Sequence, residues 1–400
     1  MSPPSALPIA LPTDAVPTTA QLVEAALAIT DILDAEAALS DTQRSVSTTS
    51  IDAMTDAGLW RILTPRTFGG WEAGLRAQVE TLFVTAAADS AAGWVQMVIN
   101  AHAWIVANFD PACQDEVFAG GPDTRVPGTL AAQGRATPVD GGWEYNGRWQ
   151  FASGVDHGEW VLVGAGTDAP ERAVHALIPK TDLVVDDTWF TLGLRGTGSK
   201  DLVCHQVFVP SHRVMPTKVL FDGVSPHGER HATHFNRLPV NNCLSVQLAA
   251  AVVGMTDAGL DLFVERTSLQ REVYLGSKRA ERPGTQMRLA ESSGELDAAR
   301  QLVLVAADRC DEVARTGVQL TIEERALGKW RAAYAVELCR RSLDRVYAAA
   351  GAHSIYDDSA LQKRVRDVAT ASHHAIADFD STAEMFGRVS LGMSPGTPLV

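Results

Sequence analysis

The chain has 400 residues, of which 46% are hydrophobic and 20% charged, the composition of an ordinary globular protein. Its formal net charge of -14 argues against nucleic acid and anionic membrane surfaces as partners, because an acidic surface repels phosphate. The five cysteines show no CxxC spacing, which indicates reduced thiols rather than a disulfide frame or a metal site. Residues 1–17 lack the basic start and long apolar run of a signal peptide, so we expect a cytoplasmic protein.

Three compositional zones follow a Pro- and Ala-rich stretch at 1–17, which we expect to be a disordered tail. The first zone, residues 18–122, is rich in Ala and carries helical spacing. Leu22, Ala26 and Ile29, for example, recur on one face of a helix. This zone is predicted to form an N-terminal helical domain.

The second zone, residues 123–215, changes to alternating and β-branched runs, which predict a central sheet or small barrel. Asn146-Gly147 lies between two such runs, and this pair readily supplies the positive φ angles of a type I′ turn. The stretch around it therefore predicts a hairpin. Further strands are predicted at 161–164, 174–178 and 202–209.

The third zone, residues 216–400, returns to helical spacing and predicts a C-terminal four-helix bundle. Wide apolar coverage on these helices indicates that some faces are buried against other subunits. The Gly-rich stretch 193–198 does not match a dinucleotide fingerprint and predicts a turn. The pattern as a whole predicts an α+β fold in three units. The four helical segments are 246–275, 286–316, 321–350 and 361–389.

Several motifs, in order and over most of the chain, resemble one family: the flavin-dependent monooxygenases of the acyl-CoA dehydrogenase fold. Any one of these motifs is weak evidence, whereas the ordered set is specific. The motifs are AGLWRILTPRTFGGW at 57–71, AGWVQMVINAHAW at 92–104, GRWQFASGVDHGEW at 147–160, LRGTGS at 194–199 with VFVPSHR at 207–213, and Arg366-Asp367 followed by His374.

This resemblance implies the oxygenase component of a two-component system, similar to oxygenases that act on p-hydroxyphenylacetate, steroid-ring phenols, indoles or polyketides. A transiently bound flavin reductase would supply reduced FMN or FAD, and O2 would be the co-substrate. The resulting C4a-hydroperoxyflavin would hydroxylate a small aromatic substrate such as a phenol, an indole or a fused ring. Relatives complete the cofactor site with a neighbouring subunit, so the resemblance also implies a homotetramer.

One departure from the acyl-CoA dehydrogenases concerns their carboxylate base, which in many members follows an Arg-Asp pair. The corresponding position here is roughly Ala375, which cannot take a proton, whereas the adjacent His374 can. The resemblance therefore favours oxygen chemistry. The catalytic base could instead be a carboxylate further along the chain, at Asp378, Asp380 or Glu384, so an FAD-dependent desaturase is one alternative. An N- or S-oxygenase of the same fold is another.

The resemblance assigns catalytic roles to His374, His102 and Ser153. His374 would act as acid or base at the flavin-bound peroxide, His102 would bind or deprotonate the substrate, and Ser153 would face flavin N5. Without the resemblance, His374 would be interpreted as a surface residue and His102 as a core residue with its hydrogen bonds made. Ser153 would be an ordinary turn residue. Trp104 and Thr129, the latter at a position where relatives often carry Ser, would join His102 at the substrate.

The resemblance also assigns cofactor contacts beyond Ser153. Trp149 and Phe151 would wall the flavin, unless they belong to the core of the sheet. Arg271 would contact the flavin, with a surface helix Arg as the plain alternative, and Ser354 would touch it from a loop of the bundle.

Overall fold

Six helices form the N-terminal part of the fold. Most of the expected tail at 1–17 lies outside the residues that the computed structural model describes, which are 11, 15–169, 172–269, 276, 278–398 and 400. Side chains begin several of these helices: Thr18 forms a capping box with Gln21, and Asp89 accepts a hydrogen bond from the N–H of Ala91. The helices are α1 (Thr19–Leu27), α2 (Thr30–Gln43), α3 (Thr48–Asp56), α4 (Leu75–Ala88), α5 (Ser90–Val106) and α6 (Pro111–Val117).

One seven-stranded sheet follows these helices, with the strand order β5-β6-β2-β1-β3-β4-β7. Strands β1 and β3 are parallel, and the other neighbours are antiparallel. The strands predicted at 161–164, 174–178 and 202–209 are confirmed. The strands are β1 (Gly128–Val139), β2 (Gly142–Ala152), β3 (Trp160–Gly166), β4 (Val174–Pro179), β5 (Val184–Asp186), β6 (Lys200–Pro210) and β7 (Val214–Pro216).

The hairpin predicted around Asn146-Gly147 is wrong, because β2 runs through both residues. The turn between β1 and β2 is Asp140-Gly141 instead, where Gly141 has a φ of 74°. Asn146-Gly147 coincides with a shift in the pairing of β2 with β6, where Asn146 Oδ1 accepts from the N–H of Gln206 at 2.7 Å. Asn and Gly tolerate unusual backbone angles, which suit a bulge as well as a turn.

Within the described residues, six helices follow the sheet, and three of the four predicted long helices are confirmed as α8, α9 and α10 in the list below. Residues 270–275, the end of the first of these predicted helices, lie outside the described residues. The fourth, predicted over 361–389, is wrong because the chain forms two helices there. His374 Nδ1 accepts from the N–H of Ile376, and Asp378 accepts from the N–H of Ser381. These side chains satisfy backbone groups outside a continuous helix and so end one helix and begin the next. The helices are α7 (Thr217–Asp222), α8 (Val240–Leu269), α9 (Pro283–Thr316), α10 (Ile322–Tyr347), α11 (Ala360–Ser372) and α12 (Phe379–Ser390).

A single hydrophobic core joins the helices that precede the sheet in the chain to the helices that follow it. It includes Leu82 of α4, Ile99 of α5 and Val253 of α8, all fully buried. The predicted boundaries at 123 and 216 fall where helix gives way to strand and strand to helix, but the helical segments share this core. The predicted α+β order of helices, sheet and helices is confirmed.

Helix α8 is the central element of that core. It is long and apolar enough by length and composition to cross a membrane, but 89% of its apolar window is buried inside the protein. Such burial is typical of the core helix of a globular protein. The five cysteines are also buried and carry free thiols.

The sheet has a second core of its own, with Trp149 inside it. Trp149 is fully buried, and its indole N–H donates to the carbonyl of Gly164 at 2.5 Å. Gly134 makes room for the indole, because a Cβ there would lie 2.0 Å from the ring. Trp149 therefore has no surface to offer a cofactor, and its expected flavin contact is corrected to a packing role.

Helix α11 is fixed to the end of α4 by a buried arginine. The guanidinium of Arg364 donates to the carbonyls of Ala86, Ala87 and Ala88 and to the hydroxyl of Ser90. The last carbonyls of α4 lack partners within their own helix and carry the negative end of its dipole, so a buried cation suits them. This contact sets the position of α11 relative to α5.

We expect Arg364→Met to lower the free energy of unfolding by about 3 kcal/mol, because it leaves buried carbonyls without donors. Urea unfolding followed by circular dichroism measures this loss. The matched control is Arg388→Met, where the guanidinium bonds the surface carbonyl of Ser394, and it should change stability by less than about 0.5 kcal/mol. Equal losses in the two variants would contradict the anchoring role.

Candidate active site

Ser153 follows β2 and joins a chain of hydroxyl groups. Its Oγ lies 2.7 Å from Ser199 Oγ, which lies 2.7 Å from Thr197 Oγ1. Thr197 Oγ1 is 2.8 Å from the carbonyl of Leu194. The indole N–H of Trp94, on α5, also donates to Ser153 Oγ at 3.1 Å. Ser153 is therefore held from two sides, by the loop at 194–199 and by α5.

Trp94 links Ser153 to His374. The indole and imidazole rings meet edge to face, with their centroids 5.8 Å apart. His374 lies in the break after α11, where it keeps accessible surface although protein surrounds it closely. The protein packed around His374 lowers its pKa, which favours the neutral imidazole.

Helix α11 also fixes the loop that carries Ser199. Asp367, fully buried, accepts from the N–H of Leu194 at 2.6 Å and pairs with Lys363 at 2.8 Å. Burial alone would raise the pKa of Asp367, but Lys363 and the Leu194 N–H outweigh it and hold the carboxyl ionised. Gly193 packs so tightly on α11 that a Cβ would lie 2.1 Å from the carbonyl of Arg366. One helix thus places both His374 and the hydroxyl chain.

His102 lies two turns after Trp94 on nearly the same face of α5. It is 5% exposed, and its Nδ1 is 2.7 Å from the carbonyl of Val126. Since a carbonyl only accepts, Nδ1 carries the proton and Nε2 has a free lone pair. Between the two side chains, Val98 is the one residue of α5 that is not fully buried.

The surface beside Ser153 is aromatic. Phe151 has a φ of 68°, which turns its side chain out of the core of the sheet and leaves it 58% exposed. Its ring meets that of Trp189 edge to face at 6.0 Å. Trp189 is held in turn, because its indole N–H donates to the carbonyl of Leu194 at 3.0 Å. The geometry thus supports the expectation that Phe151, unlike Trp149, faces a cofactor.

The structure separates Trp104 from this group. Two positions after His102 on a helix, Trp104 points to the other side of α5. It lines a cavity with Glu72, His231 and Asn236, so its expected contact with the substrate beside His102 is corrected. Neither this cavity nor the pocket among α8, α9 and α10 includes the buried Ser153 or the exposed His374.

The remaining predicted site residues are scattered. Thr129 is partly exposed on β1, three positions after Val126, to which His102 is bonded. Ser354 precedes α11, whereas His374 follows it, and the Ser354 hydroxyl donates to the carbonyl of Gly351 at 2.6 Å. Arg271 lies outside the described residues. Contacts of Thr129, Ser354 and Arg271 with ligands stay predictions.

Sequence reasoning missed the residues that connect this site. Trp94, Thr197, Ser199 and Asp367 all lie inside the family-like motifs, yet a motif alone does not show which side chains meet. One signal that could have found them is the cluster of hydroxyl residues at 197–199 next to a Gly-rich turn. The other is the position of Trp94 about two helical turns before His102.

The residues at this surface fit a flavin. Its ring system is planar and apolar on its faces, which suits the exposed ring of Phe151, and polar at N5, which suits a hydroxyl such as Ser153. His374 adds a neutral hydrogen-bonding group with accessible surface. No group of three or more His, Cys, Asp or Glu suited to a metal ion occurs among the described residues.

Comparison with known proteins gives the same class. A family model described as acyl-CoA dehydrogenase, C-terminal domain, matches residues 246–379. The flavin-dependent monooxygenase oxygenase subunit HsaA of Mycobacterium tuberculosis is 31% identical, over 92% of this chain and 95% of its own length. The p-hydroxyphenylacetate 3-hydroxylase oxygenase component of Acinetobacter baumannii is 30% identical, over 89% of this chain and 86% of its own.

Solved structures agree with these relatives. The 3-HSA hydroxylase of Rhodococcus sp. RHA1 superposes with a TM-score of 0.90 at 29% identity, covering 96% of this chain and 99% of its own. XiaF of Streptomyces sp., solved with FADH2 and glycerol, gives a TM-score of 0.88 at 26% identity, covering 95% and 97%. Fold and site thus define a flavin-dependent monooxygenase. The chain belongs to the oxygenase components of the two-component flavin-dependent monooxygenases, which use reduced flavin and O2.

The buried His102 makes stability depend on pH. Burial lowers its pKa from 6.5 to about 4, and the neighbouring buried His175 adds to the effect. The unfolded chain therefore binds more protons than the folded protein below pH 6.5, so the contribution of His102 is fully present above pH 6.5 and is lost as the pH falls toward 4.

We expect acidification from pH 7 to pH 5 to cost the wild type about 2 kcal/mol more unfolding free energy than His102→Asn. The Asn amide can still donate to the carbonyl of Val126 but does not titrate. Urea unfolding of both proteins at the two pH values measures the difference. His175→Asn should reduce the pH dependence by a similar amount, because burial lowers the pKa of His175 to about 4 as well, and parallel pH profiles for wild type and His102→Asn would refute the assignment.

Proposed function

We propose that this enzyme hydroxylates a small phenol or a related aromatic with an acidic O–H or N–H group, using flavin reduced by a separate reductase. The observation that carries the proposal is the opposite hydrogen-bonding character of two neutral histidines, His374 beside Trp94 and His102 farther along α5. The N–H of Ile376 donates to His374 Nδ1, so the proton of His374 is on Nε2, where it can be donated. His102 has the opposite tautomer and accepts at Nε2.

Bound reduced flavin supplies the reaction with O2 and the oxygen atom that is transferred. The protein holds it by the hydroxyl of Ser153 and by the ring of Phe151. His374 then offers a hydrogen bond from Nε2–H beside Trp94. Because its imidazole is neutral at pH 7, it can give this bond without introducing a charge into the cleft.

The substrate would lie along α5 between Trp94 and His102. These side chains are eight residues apart, which is about 12 Å along a helix axis and spans an aromatic ring with its substituents. Val98, partly exposed between them, gives an apolar wall. His102 Nε2 would accept a hydrogen bond from the O–H group of a phenol, which makes the ring carbon more nucleophilic toward the transferred oxygen.

The assembly and its location are part of the proposal. Large apolar side chains remain exposed on the bundle, among them Leu269 at 80%, Leu391 at 77% and Ile355 at 66%. A second copy that packs against these side chains would remove their apolar surface from water. We expect a homotetramer in which a second copy covers these residues, located in the cytoplasm with its transiently bound reductase.

The test of function supplies the purified protein with NADH, a flavin reductase, FMN or FAD, and a panel of simple phenols and indole. We expect hydroxylated product only when reductase and flavin are both present. His374→Ala should lower the ratio of product to H2O2 at least tenfold, because the hydrogen bond from Nε2–H is lost. Product and peroxide are measured together by chromatography and a peroxidase assay.

The matched control for that test is His373→Ala. His373 is exposed and bonds the carbonyl of Ala369 within α11, so its loss should leave the ratio of product to peroxide unchanged. The same drop in both variants would show that the effect is not specific to His374. Product formed with NADH alone, without reductase, would overturn the two-component assignment.

We further expect His102→Asn to lower kcat with the phenol turned over best by about a hundredfold, because the accepting nitrogen is gone. The bond to Val126 can persist, so the fold and flavin binding should be retained. Steady-state kinetics and a flavin titration measure the two effects. Unchanged kcat in a folded variant would assign His102 to a purely structural role.

A further inference from the structure

The hydroxyl chain beyond Ser153 has a direction of proton donation that its contacts dictate. Leu194 contributes a carbonyl oxygen, which can only accept, so Thr197 Oγ1–H donates to it at 2.8 Å. Thr197 has no second hydroxyl proton and must accept from Ser199 at 2.7 Å. Ser199 has then used its own proton and must accept from Ser153 at 2.7 Å.

The reversed direction is unfavourable. If Thr197 donated to Ser199 and Ser199 to Ser153, the Thr197 hydroxyl and the Leu194 carbonyl would face each other at 2.8 Å with no proton between them. That arrangement would bring two acceptor oxygens together in the protein interior, which is unfavourable. The first arrangement places one proton in every contact. Trp94 reinforces it, because the indole N–H can only donate to Ser153.

Ser153 is therefore left as an acceptor toward the cofactor. Its proton points to Ser199, it accepts from Trp94, and its remaining lone pair is free. Reduced flavin carries a proton on N5 and can donate to that lone pair, whereas oxidised flavin has a bare N5 that needs a donor. We propose that Thr197 and Ser199, acting through Ser153, make the site select reduced flavin over oxidised flavin.

This inference rests on the proposed placement of flavin N5 at Ser153. To bind oxidised flavin equally well, Ser153 would have to turn its proton to N5 and leave Ser199 without its donor. The loop cannot easily adjust to repair this, because Asp367 holds the Leu194 N–H and Gly193 packs against α11. Thr197 and Ser199 are positioning residues, since neither is required to touch the flavin.

The test measures equilibrium binding rather than turnover. Reduced and oxidised FMN and FAD are titrated into the full-length protein, under anaerobic conditions for the reduced forms, and the ratio of the oxidised to the reduced Kd is determined. We expect this ratio to exceed one in the wild type. Ser199→Ala frees the Ser153 proton, and Thr197→Val lets Ser199 donate to Ser153, so both should lower the ratio about tenfold.

The bound flavin's midpoint potential gives an independent readout, because the same tenfold change equals a shift of about 30 mV for a two-electron couple. The potential should fall on passing from wild type to Thr197→Val, because the variant loses part of its preference for reduced flavin. The matched control is Thr197→Ser, which keeps the hydroxyl and should keep the wild-type ratio. Thermal unfolding of each variant shows that it is folded, and if Ser199→Ala fails to fold, Thr197→Val decides.

The outcomes separate two kinds of failure. Absence of flavin binding by the wild type in both redox states would overturn the proposed function itself. Normal flavin binding with a wild-type ratio in folded Thr197→Val would overturn the inference alone. A ratio that falls in Thr197→Ser as much as in Thr197→Val would also overturn it, because it would show sensitivity to packing rather than to the hydroxyl.

Discussion

The contact between α11 and the loop at 193–199 is the constraint on which the rest of the site depends. Asp367 holds the N–H of Leu194 in a fully buried charge-assisted bond, and such bonds are stronger than neutral ones. The loop then places Ser199 against Ser153, while the end of the same helix presents His374. A shift of α11 would therefore move the Ser153 hydroxyl and the histidine together, which keeps their relative geometry constant.

Hydrogen-bond direction gives this site much of its chemistry. His374, His102 and Ser153 all belong to residue types that can either donate or accept, and in each case a backbone group or an indole removes the choice. Preorganised groups of this kind need little reorganisation when the ligand arrives. At His102, which is 5% exposed, the low dielectric strengthens the fixed bond, and burial lowers the pKa and so keeps the imidazole neutral.

Sequence motifs placed Ser153, His102 and His374 in the fold but could not show how they are connected. The predictions that were wrong failed because of tertiary contacts, which the sequence pattern does not show. Asn146-Gly147 has the residues of a turn, yet pairing with β6 absorbs them as an irregularity in β2. The apolar spacing over 361–389 continues through the break between α11 and α12. Spacing alone could not reveal that His374 and Asp378 bind backbone N–H groups there and interrupt the helix. Trp104 was assigned by its motif, but its position two residues after His102 turns it away.

The break between α11 and α12 also explains why this fold runs oxygen chemistry here. A dehydrogenase needs a carboxylate that is free to take a proton, but Ala375 has none, and Asp378 is bound to the N–H of Ser381 as the cap of α12. That bond lowers the pKa of Asp378 and makes it a poorer base. The break instead exposes a neutral imidazole whose donor faces outward. The local sequence therefore places a neutral imidazole, and no free carboxylate at 375 or 378, at this break.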